Sequence, residues 1–331
     1  MKYIIFGESH GPAIGVALEG LPSGIALDMD FIASEMARRA PGQNAMTTAR
    51  REKDAPEILS GVFEGRTTGT PLCAVIRNTD THSQDYAKLR TLPRPGHADY
   101  TGFVRYAGWG DYRGGGHFSG RLTAPLVFAG AVAKLVLRER GVAVTGRISN
   151  VAGIPDPTPE QMEAAILAAK AELDSVGGRI RCSVTGLPVG LGSPDFGCNV
   201  EGIFSQYLFA VPAVKAVGFG LGEGFAALRG SQANDPFYLD GGTVRTRTNH
   251  SGGIQGGISN GEDILMRIGF KPTATLMVDQ QTVNQAGEDA RLKGRGRHDA
   301  CVLPRAVPIV EAMAWLCLCD HYLRQRCQQA L

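Results

Sequence analysis

The sequence predicts a mixed α/β body, and two observations carry that expectation. Stretches in which apolar residues recur every three or four positions are interleaved with short runs of β-branched residues. No low-complexity linker or short-period repeat divides the 331 residues, so one unit spanning 1–331 is the simplest organisation.

Taken in chain order, residues 1–6 read as a short strand that runs into Gly7-Glu8-Ser9-His10-Gly11, and 29–39 carries the first helical period. A β-branched run at 72–76 predicts a strand, 124–140 a long helix and 142–148 another strand. The helix over 159–173 has a readable start, because Thr158 can cap, Pro159 fits the first turn and Gln161 stands at the capping-box position. Strands at 180–185, 214–219 and 275–278 and a last helix over 305–326 complete the set.

Four long stretches show neither period: 40–57, 78–120, 222–261 and 279–304. Loops of that length in a compact body usually carry function, so all four are expected to converge on one site. Lys+Arg 34 against Asp+Glu 32 leaves a net charge of +2, which implies no bulk polyanion binding, and no basic, aromatic stripe of a nucleic-acid binder is present. Seven cysteines (Cys73, Cys182, Cys198, Cys301, Cys317, Cys319, Cys327) without a C-x-x-C pair suggest reduced thiols, neither a disulfide framework nor a zinc site. The opening residues leave no room for a signal peptide. The longest apolar-rich stretch, 306–319, is broken by Pro308 and Glu311 and falls short of a membrane span, so a cytoplasmic protein without membrane contact is expected.

Arginines crowd the loops: Arg38, Arg39, Arg50 and Arg51, then Arg94, Arg105, Arg113 and Arg121 among glycines. Guanidinium forks hold carboxylates and phosphates bidentately, so a small polyanion is the natural ligand. The 44 glycines are roughly twice the ~7% norm and serve turns and close approaches. Gly114–Arg121 precedes a helix and can form an anion concavity, but Arg121 and Leu122 stand where a Walker A motif needs Lys and Ser/Thr. Gly218–Gly224 is followed by too few residues for a dinucleotide-binding crossover helix. The run Gly252–Gly261 suggests backbone lying against a flat ligand. His10 and His97 sit in glycine-flanked loops and suit general acid chemistry. Ser9-His10 lacks the nucleophile-elbow pattern, which argues against a hydrolase.

Eight blocks in order, Phe6–Gly11, Arg38–Gln43, Thr47–Glu52, Arg94–Asp99, Asp111–Gly116, Arg229–Ser231, Lys271–Thr273 and Gly296–Asp299, strongly resemble chorismate synthase. The resemblance implies a β-α-β sandwich (α+β) with two pseudo-symmetric halves, assembled as a homotetramer. It implies anti-1,4-elimination of phosphate from 5-enolpyruvylshikimate 3-phosphate on reduced FMN, without net redox change and without a metal. By motif, His10 would assist phosphate departure, His97 would protonate the flavin, Asp299 would stand beside flavin N5, and Ser9 and Ser119 would be polar partners. Arg39, Arg50, Arg94, Arg121 and Arg297 would hold the substrate's anionic groups. His117, Phe118, Ser119, Ala213, Gly256, Lys271, Pro272, Thr273, Ala274, Thr275 and Arg297 would hold the cofactor. The common family loop Gly-Arg-Ser-Ser-Ala-Arg-Glu-Thr-Ala reads Gly116-His-Phe-Ser-Gly-Arg-Leu-Thr-Ala124 here, and Pro212 replaces an asparagine of some members. A flavin oxidoreductase with a nicotinamide partner is the alternative reading.

Overall fold

The structure, a computed structural model, describes residues 1–42, 46, 47, 52, 54–79, 86, 89–195, 197–294 and 298–328. Its first half runs β1 (Lys2–Gly7), β2 (Ala13–Glu19), α1 (Met29–Arg39), β3 (Pro56–Ser60), β4 (Leu72–Arg77) and α2 (Thr123–Val136). The second half repeats that sequence of elements as β5 (Ala143–Val151), β6 (Gly178–Thr185), α3 (Val200–Phe209), β7 (Val214–Phe219), β8 (Ile264–Phe270) and α4 (Leu303–Gln328). One sheet has the order β1-β2-β4-β3, and the other has β7-β8-β6-β5 with the short strand Ile154–Pro155 at its edge. Counted from the first strand of each half, both sheets are ordered first-second-fourth-third, with every neighbouring pair antiparallel. The halves are therefore pseudo-symmetric, and the fold is α+β.

The helices fill the space between the sheets. Helix α2 packs on the first sheet and on α4, which in turn packs on β5 and β6. Gly130 makes that helix crossing possible: a Cβ there would come 2.9 Å from the Ala312 carbonyl oxygen. Ile14, Val16, Phe128, Val132, Ile180, Ile264, Met313 and Leu316 form the buried centre, each worth roughly 1.5–3 kcal/mol when removed from water. The stretch Leu303–Gln325 of α4 is long and apolar enough to cross a membrane by length and composition, but 83% of its apolar window is buried inside the fold, which makes it a core helix. Cys182, Cys301, Cys317 and Cys319 are free and buried.

Local signals set the ends of several elements. Asp28 caps α1 by accepting from Phe31 N at 2.9 Å, and the capping box of Thr158 and Gln161 starts the helix Pro159–Ala171. The expected helix 124–140 ends at Val136 and continues as a tight turn to Arg140, stopped by left-handed Gly141. No strand forms at 275–278. Leu276 instead accepts from Gly294 N and Met277 donates to the Leu173 carbonyl, so tertiary contacts override β-branched propensity there. Strands β2, β3 and β8 form where the sequence pattern predicts none. The stretches 222–261 and 279–304 are not continuous loops, since they contain the hairpins Phe237–Asp240/Thr243–Thr246 and Asp279–Val283/Asp289–Lys293.

Candidate active site

A cavity of about 780 Å³ opens on the seam between the halves, in the upper part of the range usual for small-molecule sites. The first half contributes the end of α1, the loop Arg94–Ala98, the glycine turn before α2 and the start of α2. The second half contributes 209–215, 270–275 and the start of α4. Lys271 Nζ donates to the Gly96 carbonyl, Arg94 Nη1 donates to Thr275 Oγ1 at 3.0 Å, and Arg305 Nε donates to the Arg39 carbonyl at 3.1 Å, so these contacts bind one half to the other. Ala213, in left-handed conformation, accepts from Lys271 N at 2.9 Å and fixes the two wall segments together.

Both histidines lean on one turn. Gly114, Gly115 and Gly116 all have positive φ, a conformation open to glycine at little cost. A Cβ on Gly114 would come 2.5 Å from His10 Nε2 and 3.0 Å from Ser9 Oγ; on Gly115 it would come 3.3 Å from His97 Cε1. Ser9 is fully buried, donates its backbone N–H to the Gly116 carbonyl at 3.1 Å, and has no hydrogen-bond partner for Oγ among the described residues. Tyr86 meets the His10 ring edge-on at 5.1 Å between centroids. His97 Nδ1 lies 2.6 Å from Asp99 Oδ1.

The arginines form a buried cluster. Arg39 donates to Asp54 Oδ2 at 2.8 Å, to the Gly120 carbonyl at 2.8 Å and to Thr123 Oγ1 at 3.1 Å. Arg121 pairs with Asp54 and with Glu52 Oε2 at 2.8 Å, while its Nη2 is buried with no partner among the described residues. Burial and the neighbouring Arg305, with a further contribution from Arg121, push the Arg39 guanidinium down to about 9 against the pull of Asp54. Arg39 and Arg121 are met by the two carboxylates of Asp54 and Glu52, and Arg305 by Asp299, so the guanidiniums and carboxylates of the cluster are equal in number. Burial alone would raise the Asp54 carboxyl, but Arg39 and Arg121 outweigh it and hold it below the ordinary carboxylate range. Asp54 also has a positive φ of 48°, local strain of roughly 1–3 kcal/mol retained at this junction.

Placement of the expected residues is uneven. The cavity wall includes Arg39, Arg94, Arg121, His97, His117, Phe118, Ser119, Ala213, Lys271, Pro272, Thr273, Ala274, Thr275 and Asp299. Ser119 caps the turn Gly120–Leu122, His117 Nδ1 is 3.0 Å from the Gly7 carbonyl, and Asp299 pairs with Arg305 at 2.6 Å. Arg50 and Arg297 lie outside the described residues. Arg94 is not a free clamp: its fork is occupied by Asp99 at 2.7 and 2.8 Å. Ser9 and His10 are not in the cavity wall but pack against Gly114, which is; Gly256 lies apart from it, and no residue of 222–261 lines it. Some glycines there pack closely on neighbouring chain, since a Cβ on Gly253 would come 2.5 Å from the Asp263 carbonyl oxygen and one on Gly257 2.5 Å from Asn199 Cβ, whereas Gly256 has nothing within 4 Å. Sequence reasoning assigned no role to Asp54, Asp99, Tyr86 or Arg305. A local signal exists for Asp99, five positions from the arginine it neutralises, but not for Asp54, which stands 15 and 67 positions from Arg39 and Arg121.

Fold and cavity together define a class: an α+β protein with a single-chain cavity walled by both halves and lined by arginines and histidines. A family model described as chorismate synthase matches residues 1–323, and the chain belongs to the chorismate synthase family. It is 52% identical over 352 residues to the chorismate synthase of Akkermansia muciniphila, covering 98% of this chain and 96% of that one. Against the chorismate synthase of Phocaeicola vulgatus the identity is 47% over 348 residues, with the same coverage of each. A crystal structure of chorismate synthase superposes with TM-score 0.76 at 27% identity, covering 98% of this chain and 92% of that chain.

Proposed function

We propose that this chain converts 5-enolpyruvylshikimate 3-phosphate to chorismate by 1,4-elimination of phosphate and the C6 proton, with reduced FMN in the same cavity. The observation that carries the reading is a buried guanidinium nitrogen, Arg121 Nη2, without a hydrogen-bond partner among the described residues, in a cavity lined by His97 and by Gly114, against which the His10 ring packs. The wall suits a flat ring with charged ends: Phe118, Leu126, Phe209 and Ile309 are apolar, and Thr273 Oγ1 is buried without a partner among the described residues beside Lys271. Lys271–Thr275 would hold the cofactor phosphate, and His97 and Asp299 would flank the ring. Held there, reduced flavin would supply electron density to the positive charge that develops on the substrate.

His10 gives its proton to the departing phosphate, with Ser9 Oγ beside it to accept or donate a hydrogen bond. Arg121 holds an anionic group of the substrate, and Arg39 keeps Asp54 and the α2 start in register behind it. The unit acts over its full length, 1–331, because both halves wall the cavity. We place it in the cytoplasm as a homotetramer. The exposed apolar side chains of Tyr100, Val104, Tyr106 and Trp109, the last 91% exposed, offer a surface for a second copy.

The test is oxygen-free incubation of the purified protein with the substrate and reduced FMN. Catalytic release of phosphate with flavin unconsumed is expected. Absence of phosphate release overturns the reading, and reductant consumed in step with product establishes the oxidoreductase instead. Analytical ultracentrifugation checks the assembly, with a mass other than four chains refuting the tetramer.

A further inference from the structure

The Asp99 carboxylate is saturated by two residues. Oδ1 accepts from His97 Nδ1 at 2.6 Å and from Arg94 Nη2 at 2.8 Å; Oδ2 accepts from Arg94 Nε at 2.7 Å and from the Arg94 backbone N–H at 2.9 Å. Its side chain is 7% exposed and that of Arg94 4%. Asp99 opens the short helix Asp99–Arg105, which the preceding Ala98 does not cap with a side chain. Among the cavity-lining residues are Arg94, Gly96, His97 and Ala98, but Asp99 is absent, so it sits one layer behind the surface a ligand would touch.

We infer that Asp99 is the positioning residue of His97: it fixes the imidazole with Nδ1–H donated inward and Nε2 as the atom that exchanges a proton with a bound molecule. Nε2 stands beside the glycine turn, 3.4 Å from where a Gly115 Cβ would be. The geometry settles the tautomer, because a carboxylate with no proton of its own can only accept. Burial alone would raise the Asp99 carboxyl, but the hydrogen bonds from Arg94 and His97 outweigh it and hold it well below the ordinary carboxylate range, so it is an anion throughout neutral pH.

Arg94 completes the device. Its Nη1 donates to Thr275 Oγ1 across the seam, Nε and Nη2 donate to Asp99, and Nη2 also lies 3.0 Å from His97 Nδ1 and 3.3 Å from Nε2, so the guanidinium braces the carboxylate and the ring together. A carboxylate held by a fork on one side and an imidazole on the other cannot swing, and the ring it orients cannot flip. This inference deepens the proposed reaction and rests on it for the proton's destination. The tautomer itself is readable without substrate or flavin.

The experiment is nitrogen-15 NMR of the His97 ring in the ligand-free protein, combined with turnover of Asp99→Asn. In the native protein a slowly exchanging Nδ1–H and an unprotonated Nε2 are expected at a pH where the ring is neutral. In Asp99→Asn the amide must give its one oxygen to the Arg94 donors and turn its NH₂ toward Nδ1, so the tautomer reverses. Turnover should fall by about 10²–10³-fold, the scale set by a wrongly protonated imidazole. Asp99→Asn placed in a His97→Ala background should add less than a threefold further loss, because its effect passes through the missing ring. An Nε2–H tautomer in the native protein, or losses that multiply fully, overturns the assignment. Should Asp99→Asn fail to fold, the native spectrum decides alone. If the native tautomer is as stated while the native protein releases no phosphate, the reaction fails and the positioning role stands.

Discussion

Gly114→Ala isolates the contact between the glycine turn and His10. Its new methyl carbon would lie 2.5 Å from His10 Nε2, where non-bonded heavy atoms settle at roughly 3.5–4.0 Å, so the ring must retreat by roughly 1 Å or more. At φ +60 an L side chain adds backbone strain of roughly 1–2 kcal/mol. Displacement of a reacting group by about 1 Å can lower turnover about 10²-fold, whereas the strain lowers global stability only slightly and moves Tm by a few degrees at most. Gly141→Ala supplies the comparison, because Gly141 has φ +69 with nothing within 4 Å of its Cβ and lies outside the cavity wall. Both variants should melt within a few degrees of the native protein, and only Gly114→Ala should lose phosphate release under oxygen-free conditions. Turnover of Gly114→Ala within threefold of native, or equal losses in both variants, refutes the reasoning.

Asp54→Asn leaves Arg39 and Arg121 facing each other without their shared carboxylate, so urea unfolding should show a loss of about 3–5 kcal/mol, the scale for removing one partner of a buried pair. Arg121→Ala removes the unpartnered Nη2 and should raise the apparent KM for the phosphorylated substrate about 10–100-fold, consistent with roughly 1.5–3 kcal/mol for a charge-assisted contact; an unchanged KM excludes the anion role. Asp54 and Asp99 both have carboxyls held below their unfolded value near 3.8, so the stability they confer is complete above that pH and is lost as pH falls through their folded values. Urea midpoints should drop steeply below about pH 4. Burial lowers His321 from 6.5, so it is neutral in the fold and must be charged on unfolding in acid; stability should decline as pH falls below 6.5, and His321→Gln should flatten that slope.

Much of the site was legible because its parts are local. Paired histidines in glycine-flanked loops, the arginine-dense stretches and the capping box at Thr158 are all short-range patterns. The order first-second-fourth-third is not, since strand register is decided by contacts scattered along the whole chain; Ile264, for example, pairs with Val184. Strand β2 escaped notice because Gly15 interrupts its alternation, and the glycine is required there: a Cβ would come 2.6 Å from the Ala74 carbonyl oxygen. Arg94 looked like a substrate fork, yet the acid five residues on occupies it. In the run Gly252–Gly261, Gly252 and Gly253 meet backbone, Gly257 and Gly261 meet side chains and Gly256 has nothing within 4 Å, because glycine density reports close approach without saying what approaches.

The position of the cavity has a thermal consequence. It lies where two repeated units abut, joined there by Lys271 to Gly96, Arg94 to Thr275 and Arg305 to Arg39. A guest wedged into that joint touches both units and acts as mortar between them. Its affinity therefore reappears as resistance to heat of the entire chain, about 2.7 kcal/mol at a hundredfold excess over Kd, instead of stiffening a single loop.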